Sequence, residues 1–266
     1  SCSVKHKKTF DYIFNKTEAI TLEQSKLTLS KDITVLSFSD SSMVDRNSSI
    51  IKVDSGWIVY SKNSESSILS FTSDGQFSGY IGHRGNGPGE YTSVYDVVVN
   101  QKSKVLEVLS DGGIFCYTFG GDFLDKKEVT YPAFSFAIDD RQNYWFYVGN
   151  NTTYGDAKMI CTDENIANVA YYLHQKSNML PMVENNFGRN GEWLTFHESL
   201  NHDLYTIENG KLDLSYAMDF PNYKLPKKLH ELSGMEVIEE LQRSNYASII
   251  NLSLIHISEP TRLGMI

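Results

Sequence analysis

Four short turn motifs recur at nearly equal intervals along this chain, and their spacing limits its fold more than any other feature. Their last residues, Phe77, Phe123, Ile166 and Leu212, lie 46, 43 and 46 residues apart. A four-stranded propeller blade needs about 40 to 50 residues. A β-sandwich is compatible with this period but does not require equal spacing of equivalent turns. The sequence therefore predicts an all-β protein, a β-propeller with four visible blades.

Two hydrophobic runs precede each turn, and their β-branched and aromatic residues are typical of strands. The turns are Asp74–Phe77, Gly120–Phe123, Asp163–Ile166 and Asn209–Leu212. The runs are Trp57–Tyr60 and Ile68–Phe71, Val105–Leu109 and Ile114–Tyr117, Tyr144–Val148 and Lys158–Cys161, and Trp193–Phe196 and Asp203–Ile207. An earlier run, Ile33–Phe38, alternates cleanly and predicts a half-buried strand, which in a propeller commonly closes the ring by joining the last blade. Residues 1–31 are expected to form a tether, with one possible strand at Ala19–Leu22.

The stretch from Ile81 to Tyr91 is rich in glycine and must form a shaped loop. Four glycines and Pro88 fall within eight residues, and neither residue type suits the interior of a helix or strand. A phosphate-binding loop would continue into a lysine and a helix, whereas Glu90 and β-branched residues follow here. A structural crossover is therefore favoured over a nucleotide site. The Glu90 carboxylate is expected to accept backbone N–H bonds rather than to act in catalysis.

The segment Phe71–Phe77 and the glycine-rich loop after it resemble the blade signature of six-bladed β-propeller lipoproteins of Gram-negative gut anaerobes, which are similar to NHL-repeat propellers. The matching residues are Gly82, Gly85, Gly87, Pro88, Gly89, Glu90 and Tyr91. The resemblance implies that this loop carries the chain from the outer strand of one blade to the inner strand of the next. It also implies six blades in the complete protein, of which residues 32–251 would hold four, and a place in the bacterial cell envelope.

The composition fits a globular protein and argues against nucleic-acid binding and against a membrane-spanning helix. The 266 residues are 41% hydrophobic and 12% aromatic, which is ample for one large core. A net charge of −9 argues against nucleic acid as a partner, because phosphate binding needs a basic face. No apolar run reaches the roughly 18 residues that a membrane-spanning helix needs.

The three cysteines fall into two classes. Cys116 and Cys161 lie in apolar, strand-like settings, which predicts buried free thiols rather than a disulfide or a metal pair. Cys2 precedes a polar, basic stretch, Ser3–Lys8, and resembles the lipidated cysteine of a mature bacterial lipoprotein. An acylated Cys2 would anchor the protein at the periplasmic or outer-membrane face, and the alternative is an unmodified cysteine.

The pattern changes after Phe220, where apolar residues fall near helical spacing. We expect short helices within 225–247, packed against the propeller, because an apolar stripe usually faces the core. Pro226 suits the first position of one helix, and Ser233–Glu236 has the form of a capping box at the start of a second. A partner-binding helix is the alternative. The apolar positions are Leu225, Leu229, Leu232, Val237, Ile238 and Leu241.

The C-terminal tail is expected to be non-native over residues 252–266. Residues 252–262 match the translation of a common sequencing-library adapter at eleven consecutive positions. Such foreign segments are set aside before the fold is considered. The natural gene would then be interrupted near Asn251, and an incomplete ring would leave unpaired strand edges with a tendency to aggregate.

The sequence contains no recognisable catalytic or metal-binding motif, so no catalytic residue, metal ligand or cofactor is assigned. The spacing of the histidines differs from HExxH, which favours surface histidines. An aromatic platform for carbohydrate could form from Trp145, Tyr171 and Tyr172, although inter-blade core positions are favoured. The histidines considered are His83, His174, His197 and His202.

These observations, together with the resemblance, predict an envelope-anchored binding or scaffolding module. Its ligand would be an unknown protein, peptide or glycan, with no nucleic acid and with membrane contact only through the lipid anchor. The alternative is a metal-dependent lyase or hydrolase with an active site in the propeller channel.

Overall fold

The computed structural model describes residues 10–13, 33–37, 44, 48–62, 67–151, 155–174, 185–190, 193–232 and 234–243. Four antiparallel sheets follow one another along the chain and form the blades of a four-bladed β-propeller arrangement. Blade 1 contains β2 (Ser49–Val53), β3 (Gly56–Tyr60), β4 (Ile68–Thr72) and β5 (Phe77–Ile81). Blade 2 contains β8 (Asp96–Asn100), β9 (Val105–Ser110), β10 (Gly113–Tyr117) and β11 (Phe123–Lys127).

The remaining blades repeat this order. Blade 3 contains β12 (Ser135–Ile138), β13 (Tyr144–Tyr147), β14 (Met159–Thr162) and β15 (Ala170–Tyr172). Blade 4 contains β16 (Phe187–Asn190), β17 (Trp193–Phe196), β18 (Asp203–Glu208) and β19 (Lys211–Asp219). Strand β1 (Phe10–Ile13) pairs in parallel with β19, and two short strands, β6 (His83–Arg84) and β7 (Glu90–Tyr91), pair with each other between blades 1 and 2.

Packing between the blades explains the sequence pattern of the strands. Because side chains alternate across a sheet, Ile58 and Tyr60 of β3 face blade 2, whereas Val59 lies on the other side of blade 1. Separate buried clusters join blades 1 and 2, blades 2 and 3, and blades 3 and 4. The large aromatic content fills these interfaces, where Trp145 and Phe146 are fully buried.

The connections between strands divide between two ends of the sheets, because neighbouring strands are antiparallel. The four predicted turns join the third and fourth strands of their blades, as their spacing predicted. We call that end the turn face. The opposite end, the crossover face, carries the second-to-third connections and the crossovers to the next blade. Its described residues are 61–62, 67, 82–95, 111–112, 128–134, 148–151, 155–158, 173–174, 185–186 and 197–202.

The N-terminal segment differs from its prediction. Within 33–37 only Ser37 forms a bridge, in parallel with Gln76 of blade 1, so the predicted strand there is wrong. Ile33 and Val35 are 84% and 71% exposed, because only Leu36 packs on the apolar side of blade 1. It is β1, within the predicted tether, that pairs with the last blade. The possible strand at 19–22 lies outside the described residues.

Two short helices follow blade 4, a 3-10 helix (Lys227–Glu231) and α1 (Gly234–Gln242). Leu229 and Val237 are buried against Leu200 of the crossover face, so the helices pack on the propeller as predicted. Ile238 is 44% exposed, and its predicted place on the packed side is wrong because α1 presents Val237 there instead. Ser233 lies outside the described residues. Within the part of the chain that the structure describes, no helix has the length and apolar character required to cross a membrane.

Cys116 and Cys161 are free and buried, which confirms the prediction for both. Burial raises the pKa of each thiol to about 12, with a smaller contribution from Glu107 at Cys116 and from Asp139 at Cys161. Because the thiolate is the reactive form, neither cysteine is suited to nucleophilic chemistry.

Candidate functional site

The glycine-rich loop lies between β5 and β8 and is closed by its own backbone and by Glu90. The Gly85 N–H donates to Tyr91 O at 3.0 Å, and the Glu90 N–H donates to Gly87 O at 3.0 Å. The Glu90 carboxylate accepts the Gly87 N–H at 2.8 Å, which is the structural role expected of it. A Cβ atom on Gly85 would lie 2.0 Å from Glu90 Oε2. The carboxylate therefore fills the curve of the loop.

Two tyrosines fix this loop against the blades. The buried Tyr91 hydroxyl donates to Ile81 O and accepts the Ile68 N–H, each at 3.2 Å. The Tyr117 hydroxyl donates to Gly89 O at 2.9 Å, and the two tyrosine rings meet edge to face. Desolvation raises the pKa of both hydroxyls, so they remain protonated donors. The loop is thus tied to both blade 1 and blade 2.

Asp96, the first residue of β8, joins three blades at the crossover face. It is 6% exposed, and its Oδ1 atom lies 2.9 Å from the Lys62 ammonium of blade 1. Its Oδ2 atom accepts the Phe136 N–H of blade 3 at 3.1 Å. The Tyr60 hydroxyl also donates to Oδ1, at 3.4 Å. A buried carboxylate requires such partners, and here they set the spacing of the inner strands.

A second buried polar cluster joins blades 3 and 4 at the same face. Glu198 accepts from the Lys158 ammonium at 2.8 Å, from the Tyr147 hydroxyl at 2.9 Å and from the Asn201 amide at 3.0 Å. Beside it, the Ser135 hydroxyl donates to the Asn186 side chain at 2.8 Å. The ammonium groups of Lys62 and Lys158 are therefore already paired with carboxylates.

Among the described residues of the crossover face, two aromatic side chains are exposed, Tyr95 at 39% and Phe134 at 41%. Each directly precedes the inner strand of its blade. The Tyr95 hydroxyl donates to Asp111 at 2.6 Å, and the hydroxyls of Thr92 and Ser93 donate to the same carboxylate at 2.8 and 2.7 Å. These bonds, above all the one from Tyr95, lower the pKa of Asp111. The exposed rings and this carboxylate form the candidate functional site.

The aromatic platform considered from the sequence does not form. Trp145 is fully buried in the interface between blades 3 and 4, where it donates to Asp139 at 3.0 Å and contacts Tyr172 at 5.1 Å between ring centroids. Tyr171 is 47% exposed on the outer strand β15. The inter-blade interpretation is therefore confirmed for Trp145.

The four histidines considered are spread over the molecule. His83 is exposed in the glycine-rich loop, and His174 pairs with Asp156 at 3.0 Å, a hydrogen bond that raises the pKa of the histidine. His197 is buried directly after β17 of blade 4, so the surface position expected for it is wrong, whereas His202 packs on Phe220. Among the described residues, no group of three or more His, Cys, Asp or Glu side chains is arranged to hold a metal ion. Cys2 lies outside the described residues.

Sequence reasoning did not find Tyr95 and Phe134 as site residues. Both positions precede the first strand of a blade, and they lie 39 residues apart. An alignment of the blades from their first strands, rather than from their turns, would have placed the two aromatic residues together.

Comparison with known proteins shows the family of the chain and supports its fold. The profile of a family described as "Domain of unknown function (DUF4934)" matches residues 6–255. No curated protein matches the chain. A Bacteroides fragilis protein named as exported shares 14% identity, with a TM-score of 0.75 over 89% of this chain and 69% of its own. That similarity shows the fold.

Two further structures have lower scores and add nothing to the assignment of the fold. A member of the DUF4221 family from Bacteroides vulgatus has 10% identity and a TM-score of 0.47, over 71% of this chain and 62% of its own. The extracellular domain of a one-component system from B. thetaiotaomicron has 14% identity and a TM-score of 0.33, over 66% of this chain and 30% of its own.

Proposed function

Because the chain belongs to the DUF4934 family, whose fold here is a β-propeller, we propose that it is a binding or scaffolding module whose crossover face meets the ligand. The exposed aromatic rings of Tyr95 and Phe134 on this face carry the proposal. Asp96, the residue after Tyr95, is held by the Lys62 ammonium and by the Phe136 N–H, so the starts of the two inner strands are fixed before any ligand arrives. Loops on a rigid scaffold are the usual location of binding residues.

The module is proposed to work outside the cytoplasm, anchored in the cell envelope by a lipid on Cys2. The similarity to an exported Bacteroides fragilis protein supports the location, and the basic stretch after Cys2 supports the anchor. Metabolic labelling with an alkyne fatty acid in the source bacterium tests the anchor. We expect label on the natural protein and none on Cys2→Ala. Equal labelling of both would contradict the anchor.

The complete protein is further proposed to have six NHL-like blades. The chain spans 69% of the length of the Bacteroides fragilis protein, which supports the presence of further blades at a period of about 45 residues. Sequencing the source gene through the codon for Asn251 tests this. A continuing frame with equally spaced turns is expected, whereas a natural frame that ends after Ile266 would contradict both the six blades and the adapter-derived tail.

Hydrogen exchange of the complete protein, with and without a solubilised envelope fraction of the source bacterium, tests the binding function. We expect new protection at residues 92–95, 111–112 and 128–134. Protection at the turn face, or no change anywhere, would overturn the proposal. A metal bound in stoichiometric amount, with an activity lost in chelator, would instead favour a lyase or hydrolase.

A further inference from the structure

Tyr95 and Phe134 occupy equivalent places at the starts of neighbouring inner strands. The Asp96 carboxylate, one residue after Tyr95, accepts the Phe136 N–H at 3.1 Å, so the starts of β8 and β12 lie side by side. Both aromatic side chains keep about two fifths of their surface exposed, whereas nearby Tyr91 and Phe136 are almost fully buried. Two apolar rings are therefore presented together at one end of the propeller.

The Tyr95 ring is held in a fixed orientation beside an exposed carboxylate. Its hydroxyl is bound to Asp111 Oδ1 at 2.6 Å, and Asp111 Oδ2 accepts the hydroxyls of Thr92 and Ser93. Asp111 remains exposed despite these bonds. A carboxylate oxygen has two lone pairs, so Oδ2 is fully used and Oδ1 can accept one further hydroxyl donor. An ordered ring loses little conformational entropy when a ligand packs on it.

The charges of this region favour a neutral ligand. The ammonium groups of Lys62 and Lys158 are buried in pairs with Asp96 and Glu198, so they serve the scaffold. Asp111 adds a negative charge at the site itself, and the exposed Arg84, whose Nε donates to Thr92 O at 3.3 Å, adds a positive charge close by. The two opposite charges favour a ligand without net charge, and the carboxylate offers an acceptor to a hydroxyl group.

We propose that Tyr95, Phe134 and Asp111 bind a neutral sugar ring. The C–H groups on one face of a pyranose carry partial positive charge and pack on the negative face of an aromatic ring, while one of its hydroxyls donates to the carboxylate. This inference rests on the proposed binding function and adds its ligand class.

The test is an array of neutral oligosaccharides together with a peptide array, probed with the complete protein. The best glycan is then titrated calorimetrically against Tyr95→Ala, Phe134→Ala and the matched control Tyr171→Ala, which removes an aromatic ring exposed on an outer strand. Loss of one stacking ring is expected to weaken binding about three- to tenfold. Asp111→Asn should also weaken glycan binding, whereas the control Tyr171→Ala should leave it unchanged.

Each result decides something different. Glycan binding that survives both aromatic substitutions would overturn the site. Binding of peptides alone, weakened by the same substitutions, would overturn the sugar class but leave the proposed binding function intact. No binding on either array, together with no hydrogen-exchange protection by the envelope fraction, would overturn both. Unchanged melting temperatures of the variants show that the loss is local.

Discussion

The junction between blades 1 and 2 is closed by two kinds of polar contact, whereas the described part of the junction between blades 3 and 4 shows one of them. In the first, Lys62 pairs with the buried Asp96, and in addition the glycine-rich loop folds around its own carboxylate while tyrosine hydroxyls bind its backbone. In the second, Glu198 is buried with a lysine, a tyrosine and an asparagine. Both junctions also contain a large apolar cluster. Both also contain a buried ion pair, so the difference lies in the glycine-rich loop of the first junction.

This difference determines how well each kind of contact can be predicted from the sequence. A loop closed by backbone geometry requires glycine at positions of positive φ, such as Gly82 at 60° and Gly89 at 74°, and these leave a compact motif. A buried ion pair requires only two ordinary residues that lie far apart in the chain. Lys158 and Glu198 are 40 positions apart and carry no local signal.

The largest expected effect comes from breaking the ion pair. Glu198→Ala leaves the Lys158 ammonium buried without its carboxylate, which should cost about 3 to 5 kcal/mol in the free energy of unfolding. Urea denaturation followed by circular dichroism measures it. The control is Glu198→Leu combined with Lys158→Met, which leaves no buried charge and should recover part of the loss. If the single variant unfolds at the wild-type urea concentration, the ion pair does not hold this junction.

Adding a single methyl group in the glycine-rich loop should lower the stability of the junction between blades 1 and 2. Gly82→Ala forces a residue with φ of 60° to carry a Cβ atom 2.6 Å from the Tyr117 ring, and we expect a loss of about 2 to 4 kcal/mol. Gly155→Ala is the matched control, because Gly155 has φ of 64° but no neighbouring atom within 4 Å. Equal losses in the two variants, measured by urea denaturation, would show that close packing on Tyr117 contributes nothing.

A smaller effect is expected when the Tyr91 hydroxyl of the same junction is removed. Tyr91→Phe keeps the buried ring but removes the bonds to Ile81 O and from the Ile68 N–H, and we expect a loss of about 1 to 3 kcal/mol. Thermal unfolding compares it with Tyr171→Phe, whose ring is largely exposed and which should match the wild type. An unchanged melting temperature for Tyr91→Phe would indicate that water satisfies the Ile81 carbonyl and the Ile68 N–H.

High pH should weaken both junctions to a smaller extent. Burial raises the pKa of Tyr91 and Tyr117 in the first junction and of Tyr205 in the second. An unfolded tyrosine ionises near pH 10, so above about pH 10 the unfolded chain releases protons that the folded protein retains, and stability falls as pH rises. Urea titrations between pH 8 and 11 check this. The combined Tyr91→Phe and Tyr117→Phe variant should show a shallower decline, and a stability that rises with pH over this range would contradict the assignment.

The sequence predicted the parts of the fold that depend on local chemistry. The four turns and the two middle strands of each blade follow from residues that lie close together in the chain. The inner strands β2, β12 and β16 were not predicted, because the turn motifs follow the middle strands and leave the first strand of each blade unmarked. The run from Ile33 was wrongly predicted as a strand because its alternation is regular. Among the described residues, only Ser37 of this run pairs with another strand, at Gln76.

The candidate site was harder to predict than the fold. In the sequence, Asp96 cannot be distinguished from other polar residues at the start of a strand. Its role in joining the blades depends on the Phe136 N–H, 40 positions later. Tyr95 and Phe134 resemble the many aromatic residues that fill the interfaces, and only their exposure distinguishes them. Sequence patterns therefore located the scaffold, and the spatial arrangement located the candidate surface.

The most direct test of the two kinds of junction is hydrogen exchange of the Glu198→Ala variant, measured segment by segment. Local openings exchange with their own free energies, so each junction can be followed separately. We predict faster exchange in β13, β14 and β17, with unchanged protection in β4, β5, β9 and β10. An equal loss of protection in all these strands would contradict the account, because the two junctions would then open as one unit.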